Sequence, residues 1–120
     1  MLLSIKPEYA EAIFDGRKRF EFRRSVFRED ISVVIVYMSS PVMRVVGEFS
    51  VEGIMTDGVS ALWNKTEAHA GIERDTFMDY FAGREVGHAI KIGDVKRYDQ
   101  PRNLQETYGV RPPQSFQYLK

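Results

Sequence analysis

The longest uninterrupted apolar run in this chain is only six residues, Val33-Val34-Ile35-Val36-Tyr37-Met38, and β-branched side chains dominate it. A run that short and apolar toward both faces describes a central strand, not a membrane span, which needs about 20 residues. Ser39-Ser40-Pro41 ends it. Beyond the turn, Val45, Gly47, Phe49 and Val51 alternate with Arg44, Glu48 and Glu52, as in a strand that pairs back on its predecessor. Val86, His88, Ile90 and Ile92 alternate likewise and run into a predicted turn or bulge at Gly93-Asp94. Leu2 to Lys6 forms a further short strand, and Ser115 to Leu119 a terminal one that would close the sheet and remove an edge.

Helical signals are brief. Pro7 presets the first helical position, Tyr9, Ala10, Ile13 and Phe14 recur at helical spacing, and Gly16 supplies a left-handed stop. Ser60 to Gly83 reads as two short helices parted at Gly71, the first capped by Ser60 and the second carrying Phe77, Met78 and Phe81. Pro101, Pro112 and Pro113 punctuate an irregular tail. Strands outnumber helices and no regular βαβ alternation demands a parallel sheet. The fold expected is α+β, mostly β, a small barrel or curled sheet with peripheral short helices, as a single domain over residues 1–120.

At 43% hydrophobic, the 120 residues can close a core unaided. The absence of cysteine excludes disulfides, thiolate nucleophiles and cysteine-based zinc sites, and is compatible with a reducing cytoplasm. The amino terminus lacks a secretory pattern, so the chain reads as mature and cytoplasmic. His69 and His88 have no metal-ligand spacing and read as a surface and a packing residue. Without a glycine-rich phosphate loop or a G-x-S-x-G elbow, no metal or cofactor is expected.

Seventeen basic residues balance seventeen acidic ones, so attraction to phosphate must come from uneven placement. Placement is uneven at Gly16 to Arg24, where Arg17, Lys18, Arg19, Arg23 and Arg24 surround one carboxylate, Glu21. From Arg17 to Ser25 the period is two, setting Phe20 and Phe22 on one face and Arg19, Glu21 and Arg23 on the other. On composition alone this is as readily a solvated basic strand as a phosphate site.

The residue order says more. A helix stopped by Gly16 and followed by Lys18, Glu21 and Arg23, in the pattern G-x-K-x-x-E-x-R, resembles the ASCH domain family. Ile5-Lys6-Pro7, Tyr37-x-Ser39-Ser40-Pro41, Val45-Val46-Gly47-Glu48 and Ala89-Ile90-Lys91-Ile92 extend the resemblance over nearly the whole chain. It implies a PUA-like β-barrel of about five to six strands whose cleft, where helices meet the barrel, binds RNA or nucleotides. Members include acetylcytidine amidohydrolases, ribonucleases, and modules that only bind RNA or act as coactivators. The resemblance puts Lys18, Glu21 and Arg23 in the cleft, with Lys6, Ser39 and Ser40 as neighbours and Arg17 and Arg24 as further cations.

The amidohydrolases carry a threonine where Glu21 stands, so this chain departs at the nucleophile, and Thr66 or Ser39 could replace that hydroxyl only through the fold. A carboxylate beside Lys18 favours its ammonium form, making it a phosphate anchor and a poorer base. RNA cleavage needs no protein nucleophile, because the 2′-hydroxyl can attack, and Lys18 and Glu21 would then be the catalytic pair. Trp63, Tyr37, Phe116 and Tyr118 are candidates for stacking on bases, whereas Phe20, Phe22, Phe49, Phe77 and Phe81 fit the core. The expected function is binding of RNA or a nucleotide, single-stranded RNA before duplex DNA. The alternatives are a hydrolase acting on RNA or a modified nucleoside in the same cleft, and a protein-interaction module.

Overall fold

The computed structural model describes residues 1–25, 30–112 and 116–117. Six strands, β1 (Leu2–Ile5), β2 (Phe20–Arg23), β3 (Val33–Met38), β4 (Arg44–Gly58), β5 (Val86–Arg102) and β6 (Phe116–Gln117), form one sheet ordered β2-β5-β4-β3-β1-β6. The apolar run of β3 lies inside this sheet, and the expected mostly-β fold with short helices is the one observed. β1 runs parallel to β3, and the remaining pairs are antiparallel. The terminal strand does not close the sheet: β6 pairs only with Leu2 and Leu3, and β2 and β6 stay unpaired to each other among the described residues. The architecture is therefore barrel-like and open.

Among the described residues four α-helices accompany the sheet, α1 (Pro7–Phe14), α2 (Val59–Thr66), α3 (Arg74–Tyr80) and α4 (Leu104–Tyr108), with a 3-10 turn at Glu67–His69. Pro7 starts α1 as its sequence implies, and Gly16 follows with φ 87°. Ser60 does not cap α2; Gly58 precedes that helix and the β4 strand runs directly into it. The tail expected to be irregular contains α4, capped where Asn103 Oδ1 accepts from the Glu106 amide at 3.0 Å and ended by Gly109 with φ 66°. Both long strands outrun their alternating segments. β5 continues past Gly93-Asp94, where the register with β4 shifts, so the predicted bulge bends the strand without ending it.

One core cluster joins Ala10 and Ile13 of α1 to Leu3, Ile5, Val34, Val36, Met38 and Phe49 of the sheet. A second gathers Phe22, Leu62, Trp63, Phe77 and Phe81 around α2, α3 and β2, with the Phe77 ring 4.9 Å from Phe22 and Phe81. A third, of Leu2, Tyr37, Val45 and Leu104, lies under α4.

The outer surface of α1 is tied to β5 where both terminal guanidinium nitrogens of Arg97 donate to Glu11 at 2.6 Å. That hydrogen bonding holds the Glu11 carboxyl below the usual carboxylate range. Both side chains are about half exposed, so the pair is worth about 0.2–1 kcal/mol. A depressed folded-state value stabilises above the unfolded pKa of about 4.3 and loses that stabilisation as pH falls through the folded value. Glu11→Gln is therefore expected to lower the thermal midpoint slightly at pH 7, with the difference from wild type vanishing in strongly acidic melts.

Candidate functional site

The loop between α1 and β2 is stitched on both sides. The Lys18 amide donates to Ala12 O at 3.0 Å, the Arg19 amide to His69 O at 2.8 Å, and Arg19 O accepts from the Ile92 amide at 3.0 Å. These bonds turn the Lys18 side chain inward, where only 2% of the residue is exposed. Its Nζ donates to Ala70 O at 2.8 Å and lies 4.7 Å from the Phe22 ring centre and 5.5 Å from that of Tyr9. Gly71, with φ 67°, makes room for the stem: a Cβ there would overlap Lys18 Cβ and Cγ.

β2 is shorter than its alternation suggested and leaves Arg19 outside it and outside the recess, but it sets Glu21 and Arg23 side by side, where they bond each other. Both are buried at 8% exposure. Glu21 Oε1 lies 3.8 Å from Lys18 Nζ, while its Oε2 accepts from Arg23 Nη2 at 2.9 Å. Arg23 Nη2 also reaches Ser4 O of β1 at 3.4 Å. One carboxylate thus sits between two cations in a largely desolvated place. Burial pushes the Lys18 ammonium below its ordinary range, and Arg23 acts the same way; Glu21 opposes them. The expectation that Glu21 would keep Lys18 a poor base had the right sign for that neighbour, but burial outweighs it.

The trio opens into a recess of about 200 Å³ where α1, β1, β2 and α3 meet. Lys6, Tyr9, Ile72, Thr76 and Tyr80 complete its walls. The Tyr80 ring is backed by the Arg24 guanidinium, 4.6 Å from the ring centre, and by Phe81 at 4.8 Å. Burial raises the hydroxyl pKa of Tyr9 and Tyr80, so both remain hydrogen-bond donors at neutral pH.

Of the residues singled out from sequence, Lys6, Lys18, Glu21 and Arg23 line this recess, and Arg24 supports its wall. Arg17 does not line it; its exposed guanidinium pairs with Asp15 at 2.8 Å. Ser39 and Ser40 also lie outside the recess, in the turn after β3, where the Ser39 amide donates to Ile5 O at 3.0 Å. Trp63 is core and not a stacking platform: it is 9% exposed and packs 5.0 Å from Phe77. Tyr37 is likewise buried under α4. Phe116 pairs through its backbone with Leu3, and its ring, like Tyr118, lies outside the described residues. Thr66 donates to Leu62 O away from the recess, and His88 Nδ1 is satisfied by Thr56 Oγ1 at 2.7 Å. Sequence reasoning missed Tyr80 and Thr76. Their signal was faint: on α3 they lie four residues apart and so share one face, beside the buried Phe77.

The family model for the ASCH domain matches residues 3–114. The chain belongs to the ASCH domain family. Crystal structures of ASCH from Zymomonas mobilis superpose on this ASCH domain with a TM-score of 0.91 at 31% identity, over 99% of this chain and 86% of that one. Two structures of single-residue variants of that protein match with the same score. An ASCH domain-containing ribonuclease of Zymomonas mobilis is 33% identical over 124 residues, spanning 99% of this chain and 83% of that protein. The domain is also 30% identical to part of the large ribosomal subunit protein uL22 of Ureaplasma parvum, and 32% to part of an ATP synthase subunit alpha from the same organism. It spans 39% and 15% of those two longer proteins, so it resembles one segment of each.

Proposed function

We propose that this ASCH domain binds single-stranded RNA by seating one nucleotide in the recess between α1, β2 and α3. The observation that carries the reading is the buried Lys18–Glu21–Arg23 trio at the base of an aromatic-walled recess. The tyrosine rings offer a flipped-out base faces on which to stack, while Glu21 accepts from a base amino group and the two cations donate to its carbonyl. At about 200 Å³ the recess is smaller than the roughly 300–1,000 Å³ of ordinary ligand pockets, which suits one base and not a duplex. Lys6 and Arg24, at the mouth and behind Tyr80, are placed for the flanking phosphates.

A second reading, cleavage of the bound strand, is favoured by the lowered Lys18 pKa and by the similarity to a protein named as a ribonuclease. Neutral Lys18 would take the proton of a ribose 2′-hydroxyl as that oxygen bonds to the adjacent phosphorus, Arg23 would hold the phosphoryl charge, and the P–O5′ bond would break, the 5′-oxygen leaving as a hydroxyl with a proton from solvent. One experiment addresses both: incubate the purified protein with labelled single-stranded RNA without added metal, and read retention and 2′,3′-cyclic phosphate ends. Retention that weakens with salt supports binding, and unchanged retention of every RNA after Arg23→Ala would refute it. Cleavage should accelerate as pH rises through the lowered Lys18 value, and the absence of cyclic ends at any pH would remove the second reading.

A further inference from the structure

We infer that the turn between β3 and β4 is a second RNA subsite, in which Met43 and Val42 receive the base next to the one in the recess and Arg44 meets the phosphate between them. This rests on the recess holding a nucleotide as proposed above. The turn exposes two apolar side chains together, Val42 at 38% and Met43 at 51%, immediately before the exposed Arg44. Met43 holds φ 54°, a left-handed conformation that a bulky side chain seldom adopts and that turns the residue out from the ladder. Arg44 donates to Met43 O at 2.9 Å, which braces the turn.

The position of this turn links it to the recess. Ile5 lies opposite Met38 in the sheet, and Met38 lies opposite Arg44, so these three side chains share the face that carries α1. Arg44 is two strands away from Ile5, roughly 10 Å at the Cα atoms by strand spacing, and an arginine side chain can reach back over part of that distance. Ile5 and Lys6 line the recess, and the Ser39 amide anchors the turn to Ile5 O. A strand leaving the recess past Lys6 therefore meets a cation, the electrostatic half of sequence-tolerant single-strand binding, beside an aliphatic shelf standing where a stacking ring is usual. The sheet register that brings the turn beside Ile5 and the positive charge at both ends favour RNA over an apolar partner for this shelf.

The test compares two probes, the ribonucleoside 5′-monophosphates and a mixed-sequence single-stranded pentaribonucleotide, on wild type, Met43→Gly and Arg44→Ala. Glycine suits a φ of 54°, so Met43→Gly removes the shelf without threatening the fold. Both variants should bind the monophosphates as wild type does and the pentanucleotide about tenfold more weakly. Pentanucleotide affinity unchanged in both variants, with monophosphates still bound, overturns the second subsite alone. Wild type that binds neither probe overturns the recess reading with it. Variants that lose self-association in sedimentation while keeping full RNA affinity would reassign the shelf to a protein contact and likewise overturn the proposal.

Discussion

Replacing Lys18 by methionine is expected to weaken single-stranded RNA binding at least about tenfold while the protein remains folded. The long aliphatic stem is kept, so the packing against Phe22, Tyr9 and Gly71 survives, and only the ammonium is lost. A hydrogen bond to a charged group contributes about 1.5–3 kcal/mol, which sets the scale of the affinity loss. Stability should move little, for two opposed reasons. Ala70 O loses its donor, costing about 1–3 kcal/mol. Against that, a buried ammonium with a depressed pKa destabilises the fold wherever it is protonated, fully below its folded-state value, and is relieved as pH rises toward the unfolded value of about 10.4. Methionine removes that penalty and leaves the Glu21–Arg23 ion pair in place. Titrations of labelled RNA and thermal melts on the same variant separate the two effects; undiminished affinity would mean that the recess is not where RNA binds.

Gly71→Ala should damage the fold and the site together. Its backbone is left-handed, which costs an alanine about 1 kcal/mol or more, and the new Cβ would run into the Lys18 stem and Cα. Overpacking of this kind adds about 1–3 kcal/mol. The backbone cannot give way easily, because Ala70 O holds Lys18 Nζ and the preceding carbonyl of His69 holds the Arg19 amide. The expected result is a loss of about 2–4 kcal/mol in chemical denaturation, accompanied by weaker RNA binding even at temperatures where the protein is folded. Gly83, which is also left-handed but open to solvent, serves as the control: alanine there should show the backbone cost alone and leave RNA binding intact.

The sequence was most readable where local chemistry decides the outcome. Val33 to Met38 is a strand at those very bounds because β-branched side chains on both faces suit an internal position, and Pro7 starts α1 because its fixed φ and missing N–H cost nothing there. It was least readable where partners are distant. Nothing local distinguishes Trp63, packed on Phe77, from a ring left exposed for stacking, and the tail around α4 is helical because Asn103 caps it and Leu104 finds Leu2, Tyr37 and Val45. For the site, the order of Lys18, Glu21 and Arg23 marked the trio, but its depth did not show. The wall supplied by Tyr80 and Thr76 comes from α3, more than fifty residues further on, where only the fold brings it into range.

The shortness of β6 has a consequence of its own. By covering only Leu2 and Leu3, it leaves the far half of β1 without a strand on that flank among the described residues, and there the Arg23 side chain reaches across to Ser4 O. The first strand of the ladder and one near its last thus face each other across a seam that the Arg23 side chain spans. A molecule lodged in the adjoining recess would act as the missing stave, touching β1 on one side and β2 on the other, two strands that the sheet does not pair directly.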